Sequence, residues 1–167
     1  MTASWNLAAG PPPSCPPPER QEWRLSCRTV DRRDIAALAS GGRLAGVFDP
    51  VERAHSGRHK DLTGFAGRLA AKYAVADLLG LPADDDDLLK GIQILPSPRN
   101  ACRDPARCER GHPPTVRFRS DHSGLDTPDR VRLLWIDVSI AHETDRAVAA
   151  AFAVLAPGHT STWREDA

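Results

Sequence analysis

Apolar residues at positions 23, 25, 27 and 30 are separated by polar ones, so Trp23–Val30 predicts a strand with Asp31 at its end. The period then changes. From Asp34 on, Ile35, Leu38 and Ala39 share one helical face and Gly41-Gly42 supply a stop, which predicts a short helix. After Val47-Phe48 a second short helix is expected, with Asp49 as cap, Pro50 at the first helical position and Glu52 in the first turn. Asp61–Leu79 is the longest helix candidate: it is rich in alanine and leucine, lacks proline, and closes at Gly80 with Pro82 just beyond. Asp84–Asp87 reads as a solvated loop or a capping run, since consecutive carboxylates rarely converge on one cation. Gly91–Leu95 and Thr115–Arg119 alternate apolar with polar residues and predict half-buried strands. Val131–Ile140 is β-branched and predicts a longer strand. Ala147–Leu155 is ambiguous, because its alanines favour helix while its nine residues between Asp145 and Pro157 also fit a buried strand.

Composition narrows the setting. The 167 residues suit one domain, and 22 basic against 22 acidic residues leave no net charge, which argues against a nucleic-acid-coating surface. No apolar run approaches the ~20 residues of a membrane span, and Met1–Pro18 has neither the basic start nor the apolar stretch of a signal peptide, so a cytoplasmic, membrane-free protein is expected. Gly10–Pro18 holds six prolines, which remove donors and fix φ. The expected organisation is a disordered Pro-rich tail over 1–21, a folded domain over 22–157 and a short tail over 158–167. Cys15, Cys27, Cys102 and Cys108 read as reduced thiols, because a core of this size needs no disulfides. Cys102, Cys108, His112 and His122 have zinc-ligand chemistry, but C-x5-C-x3-H is wider than the usual knuckle. Arg99, Arg103, Arg107 and Arg110 read as a solvated basic loop.

Four pieces in order resemble the holo-acyl-carrier-protein synthase branch of the 4'-phosphopantetheinyl transferases. TVDRRDIAAL places Asp31 on the aspartate of the family's Gly-x-Asp signature and Asp34 on the acid three residues later. VFDPVERAH is similar to the Phe-Thr-x-x-Glu segment through Phe48 and Glu52. AGRLAAKYAVADLLG, Ala66–Gly80, resembles the long helix of the family, and VSIAHE with AVAAAFAV resembles its Val-Ser-Ile-Ser-His strand and closing strand. GHPPTVRF, with Gly111 and Pro113, resembles a Gly-Lys-Pro turn and strand. The shared order across roughly residues 25–155 carries more weight than any one piece.

The resemblance implies an α+β fold, a small antiparallel sheet with one long helix, with Ala147–Leu155 a strand, and a homotrimer with sites at subunit contacts. It implies transfer of 4'-phosphopantetheine from coenzyme A to a serine of an acyl carrier protein, with Mg²⁺. Cleaving a pyrophosphate needs charge neutralised on two phosphoryl groups and a positioned, deprotonated hydroxyl, which explains a divalent ion, basic side chains and a base. Carried across, Asp31 is a metal ligand, Gly67, Arg68, Lys72, Ser139 and His142 are coenzyme A contacts, and Lys72, Tyr73, Asp77 and His142 are catalytic positions. Arg28, Arg32 and Arg33 form the basic cluster suited to steering an acidic carrier protein.

The departures fall on the same chemistry. Tyr73 stands where the family has its metal-binding glutamate, and a phenol is neutral at pH 7. Asp77 stands where it has a phosphate-contacting lysine, reversing the charge on the face Tyr73 occupies. Asp77 acting as the second metal ligand with Asp31 is one rescue. Thr29 replaces the first glycine, Ala37 the carrier-binding arginine and Ala141 the second serine. The sequence therefore leaves three readings: an active transferase; a degenerate relative that binds a carrier protein or pantetheine-linked intermediates as a scaffold or with other chemistry; and an interaction protein in which only the fold survives.

Overall fold

A computed structural model describes residues 21–56, 62–97, 113–119 and 132–157. The elements run β1 Glu22–Asp31, α1 Arg32–Ser40, α2 Leu44–Val47, α3 Pro50–Ser56, α4 Thr63–Leu78, α5 Asp86–Gly91, β2 Ile92–Pro96, β3 Pro114–Phe118, β4 Leu133–His142 and β5 Arg146–Leu155. Two antiparallel sheets result, a three-stranded one ordered β1-β5-β4 and the hairpin pair β2-β3, so the chain is α+β. The tail expected over 1–21, save Gln21, the tail over 158–167, Cys15, Gly111, the candidate zinc residues 102, 108, 112 and 122, and the arginines at 99, 103, 107 and 110 lie outside the described residues.

α4 lies across one face of the three-stranded sheet and fixes what faces what. Ala147, Ala149, Ala151 and Ala153 of β5 are buried, opposite Ala66, Ala70, Ala71 and Ala74 of α4. Small side chains on both surfaces let the helix approach the sheet closely, and this explains an alanine-rich segment in the central strand. Gly67 completes the contact: a Cβ there would stand 2.4 Å from His142 Cε1 and 2.7 Å from Ile140 Cγ2. The helix ends with Leu81 N–H bonded to Ala76 O around Gly80, whose φ of +64° suits glycine. Arg24 of β1 donates to Leu78 O at 2.8 Å and ties that end to the sheet.

β1 alternates as expected, with Ser26 and Val30 turned to α4 and Trp23 and Leu25 outward. The outward face carries an aromatic cluster: Trp23 and Trp135 lie 5.2 and 5.6 Å from Phe152, ring centre to ring centre. With Trp23 62% and Leu25 69% exposed, it is an apolar side of the sheet that no other described element covers. The expected cap of α3 is present, Asp49 Oδ1 accepting from Val51 N–H and Glu52 Oε2 accepting from Asp49 N–H. The aspartate run proves a capping run, because Asp85 accepts from Asp87 and Leu88 N–H and starts α5.

Candidate functional site

Lys72 is the first departure from the sequence reading. Its ammonium is fully buried, donates to Glu52 Oε2 at 2.9 Å and to Leu89 O at 2.7 Å, and also to Ile92 O. Glu52, equally buried, accepts in addition from Ile94 N–H at 2.9 Å and Asp49 N–H at 3.0 Å. The pair joins α3, α4 and the α5–β2 junction beneath the Phe48 ring, whose centre is 5.4 Å from the ammonium. Burial pushes Glu52 up and Lys72 down, and their mutual attraction opposes both. With every donor committed inside the core, Lys72 is a structural residue in this chain and lines none of the three ligand-sized spaces described below.

The expected metal pair does not assemble. Asp77 Oδ2 accepts from Ser26 at 2.6 Å and Oδ1 pairs with Arg28 at 2.6 Å. Ser26 and Arg28 occupy one face of β1, whereas Asp31 lies three residues beyond Arg28, about 10 Å along the strand and of opposite parity. Asp31 instead pairs with Arg33 at 2.9 Å. Mg²⁺ takes oxygens at about 2.1 Å, so adjacent ligands must approach within about 3 Å. Among the described residues no three His, Cys, Asp or Glu side chains converge on one point. Asp31 and Asp77 therefore do not form the shared two-carboxylate site that the ion would need from this pair. The Ser26 hydrogen bond, against burial and with Arg28, holds the Asp77 carboxyl below its usual range.

Tyr73 lies where two clefts meet. One, of about 540 Å³, is lined by Arg28, Leu38, Arg43, Val47, Tyr73 and the acidic segment through Asp84 and Asp86. The other, of about 360 Å³, is lined by Thr29, Val30, Asp34, Ala37, Leu38, Arg43, Leu69 and Tyr73. Burial, followed by repulsion from Asp86 and Asp34, raises the phenol above its ordinary value, so it is a neutral hydroxyl at pH 7. Arg43 reaches Asp86 at 2.6 Å. The sequence reading missed Arg43 and Asp86, which lie 43 positions apart in segments that carried no periodic signal; the acidic run was the only hint.

Arg68 and His142 meet elsewhere, in a cavity of about 310 Å³ with Gly64, Ile94, Leu95, Pro96, Pro114 and Ile140. Arg68 donates through Nε to Ile94 O at 3.0 Å and through Nη1 to Ser56 Oγ and Gly64 O. These bonds splint a partly buried guanidinium whose charge burial disfavours and Glu52 favours. Ser139 is not in this cavity: strand alternation puts it, exposed, on the opposite face from Ile140 and His142. At the β1–α1 junction Arg28 is balanced by Asp77, Arg33 by Asp31, and Arg32 donates to Thr144 O at 3.0 Å.

Comparison with known proteins bears on the fold. No family model matches the sequence and no curated protein matches it. Among solved structures, the acyl-carrier-protein synthase–coenzyme A complex of Chronobacterium ammoniagenes is similar at TM-score 0.59 and 21% identity, over 82% of this chain and 99% of that one. The holo-acyl-carrier-protein synthase of Plasmodium yoelii is similar at 0.58 and 16%, over 81% and 99%. That of Helicobacter pylori, in complex with coenzyme A, is similar at 0.55 and 16%, over 78% and 99%. The chain therefore has the holo-acyl-carrier-protein synthase fold, as its ordered motifs suggested, with a tyrosine and a tethered aspartate at the corner where the resemblance leads one to expect a metal.

Proposed function

We propose that this is a holo-acyl-carrier-protein synthase-like binding protein of the cytoplasm that has kept a coenzyme A-type site and lost Mg²⁺-dependent phosphopantetheine transfer. The observation that carries the reading is the contrast between its two regions. The cavity lined by Arg68 and His142 holds a guanidinium fixed by the Ile94 and Gly64 carbonyls and Ser56, with the His142 ring packed over Gly67. The transfer corner has one carboxylate paired to Arg33, one to Arg28, and a neutral phenol. At about 310 Å³ the cavity is at the small end of ligand sites and suits one phosphate-bearing end of coenzyme A.

Arg28, Arg32 and Arg33 form the face offered to an acidic acyl carrier protein, with Arg33 the most exposed of the ion-paired two. The uncovered Trp23, Leu25, Trp135 and Phe152 surface is the proposed contact of a homotrimer. Isothermal titration of coenzyme A tests the reading. Binding should be saturable and indifferent to added Mg²⁺, and Arg68→Lys, which keeps the charge but not the fork, should weaken it about tenfold or more. Absence of binding by the folded wild type refutes the proposal. Binding that requires Mg²⁺ refutes the loss of the metal site.

A further inference from the structure

The two clefts flanking Tyr73 have the wrong electrostatics for phosphate. Their guanidinium groups are engaged, Arg43 by Asp86 at 2.6 Å and Arg28 by Asp77 at 2.6 Å. Asp34 and Asp84 add two further carboxylates to the walls, so carboxylates outnumber cations around the space. An anion entering here loses hydration and meets no uncommitted positive partner among the described lining residues.

The same clefts are well made for an uncharged ligand. Val30, Val47 and Leu69 are buried beneath them, and Leu38 and Tyr73 form a wall common to both beside Arg43, whose charge Asp86 balances. The Tyr73 hydroxyl makes no hydrogen bond to any described residue and is not sealed from solvent. It is a neutral donor set between two apolar floors. An acyl chain carrying one carbonyl satisfies both features, since the chain removes apolar surface from water and the carbonyl oxygen accepts from Tyr73 Oη.

We infer that the paired clefts around Tyr73 form a metal-free site for a neutral acyl thioester or amide, its carbonyl held by the Tyr73 hydroxyl and its chain laid along Leu38. The inference rests on the cleft geometry and not on the coenzyme A reading, which concerns the separate Arg68–His142 cavity. It replaces a site for pyrophosphate and metal with one that discriminates against both.

Tyr73 is the chain's only tyrosine, so the full-length protein grown with 3-fluorotyrosine gives one ¹⁹F resonance that reports this position alone. The neutral thioester S-octanoyl-N-acetylcysteamine should shift that resonance saturably, whereas MgCl₂ with inorganic pyrophosphate should leave it in place. By calorimetry, Tyr73→Phe should weaken the thioester about two- to tenfold, the scale of one neutral hydrogen bond, and Leu38→Gln should weaken it further. A resonance unmoved by the thioester overturns the inference, and so does one moved by pyrophosphate and Mg²⁺. Coenzyme A titrated into the same sample separates the two readings: its binding with no thioester response sinks the acyl site alone, and a thioester response without coenzyme A binding sinks the nucleotide site alone.

Discussion

Replacing Lys72 by methionine distinguishes a structural lysine from a catalytic one. The substitution keeps an unbranched side chain of similar length but leaves Glu52 buried beside it, and leaves the Leu89 and Ile92 carbonyls without their donor. Removing one partner of a buried ion pair costs about 3–5 kcal/mol, and both side chains here have no exposure at all. For a domain of this size each kcal/mol lowers Tm by about 2–4 °C, so Lys72→Met should melt about 6–20 °C lower. Adding Glu52→Gln removes the orphaned charge while keeping an oxygen for the Ile94 and Asp49 N–H groups. The double variant should therefore be more stable than Lys72→Met alone. Thermal and urea unfolding followed by circular dichroism measure both. A loss below about 1 kcal/mol for Lys72→Met, the scale of an exposed pair, would show that the ammonium is not held as described.

Three further outcomes follow from the geometry. Gly67→Ala should cost about 1–3 kcal/mol in urea unfolding and weaken coenzyme A binding, because the new methyl displaces His142 and Ile140 from α4. Asp77 has a depressed folded-state pKa, so its contribution to stability is complete above the ~3.9 of a free aspartate and is lost as pH falls through the lower folded value. Asp77→Asn should accordingly flatten the acid limb of the stability–pH profile, and an unchanged limb contradicts the Ser26–Asp77–Arg28 contact. Light scattering should give a trimer mass for the wild type and a monomer mass for Leu25→Lys with Trp23→Glu; equal masses would clear that face of a role in assembly.

Local patterns were legible where they report on a neighbour close in sequence. The alternation of β1, the Asp49-Pro50 start of α3 and the Gly80 stop of α4 each depend on a few adjacent residues, and each lies within a residue or two of its expected place. β5 was ambiguous because its alanines answer to α4, more than 70 positions away, and the ordered family motifs resolved it where propensity did not. α2 and α5, of four and six residues, are too short to display a helical period. The site was legible by residue and not by role. Gly67, Arg68 and His142 do come together, yet Lys72 turned inward because Glu52 and two carbonyls 17 and 20 residues away complete a pocket for it. Asp77 was visible as a charge reversal, but its partners Ser26 and Arg28 are set by the antiparallel run of α4 over β1.

The central claim is that the transfer corner no longer supports Mg²⁺-dependent chemistry. Intact mass spectrometry of an apo-acyl carrier protein, incubated with this protein, coenzyme A and Mg²⁺ beside an active synthase, tests it most directly. The account predicts an unchanged carrier mass here and a gain of one phosphopantetheine in the control. The same gain with this protein would contradict the account and require a metal site that Asp31, Tyr73 and Asp77 do not form in this structure.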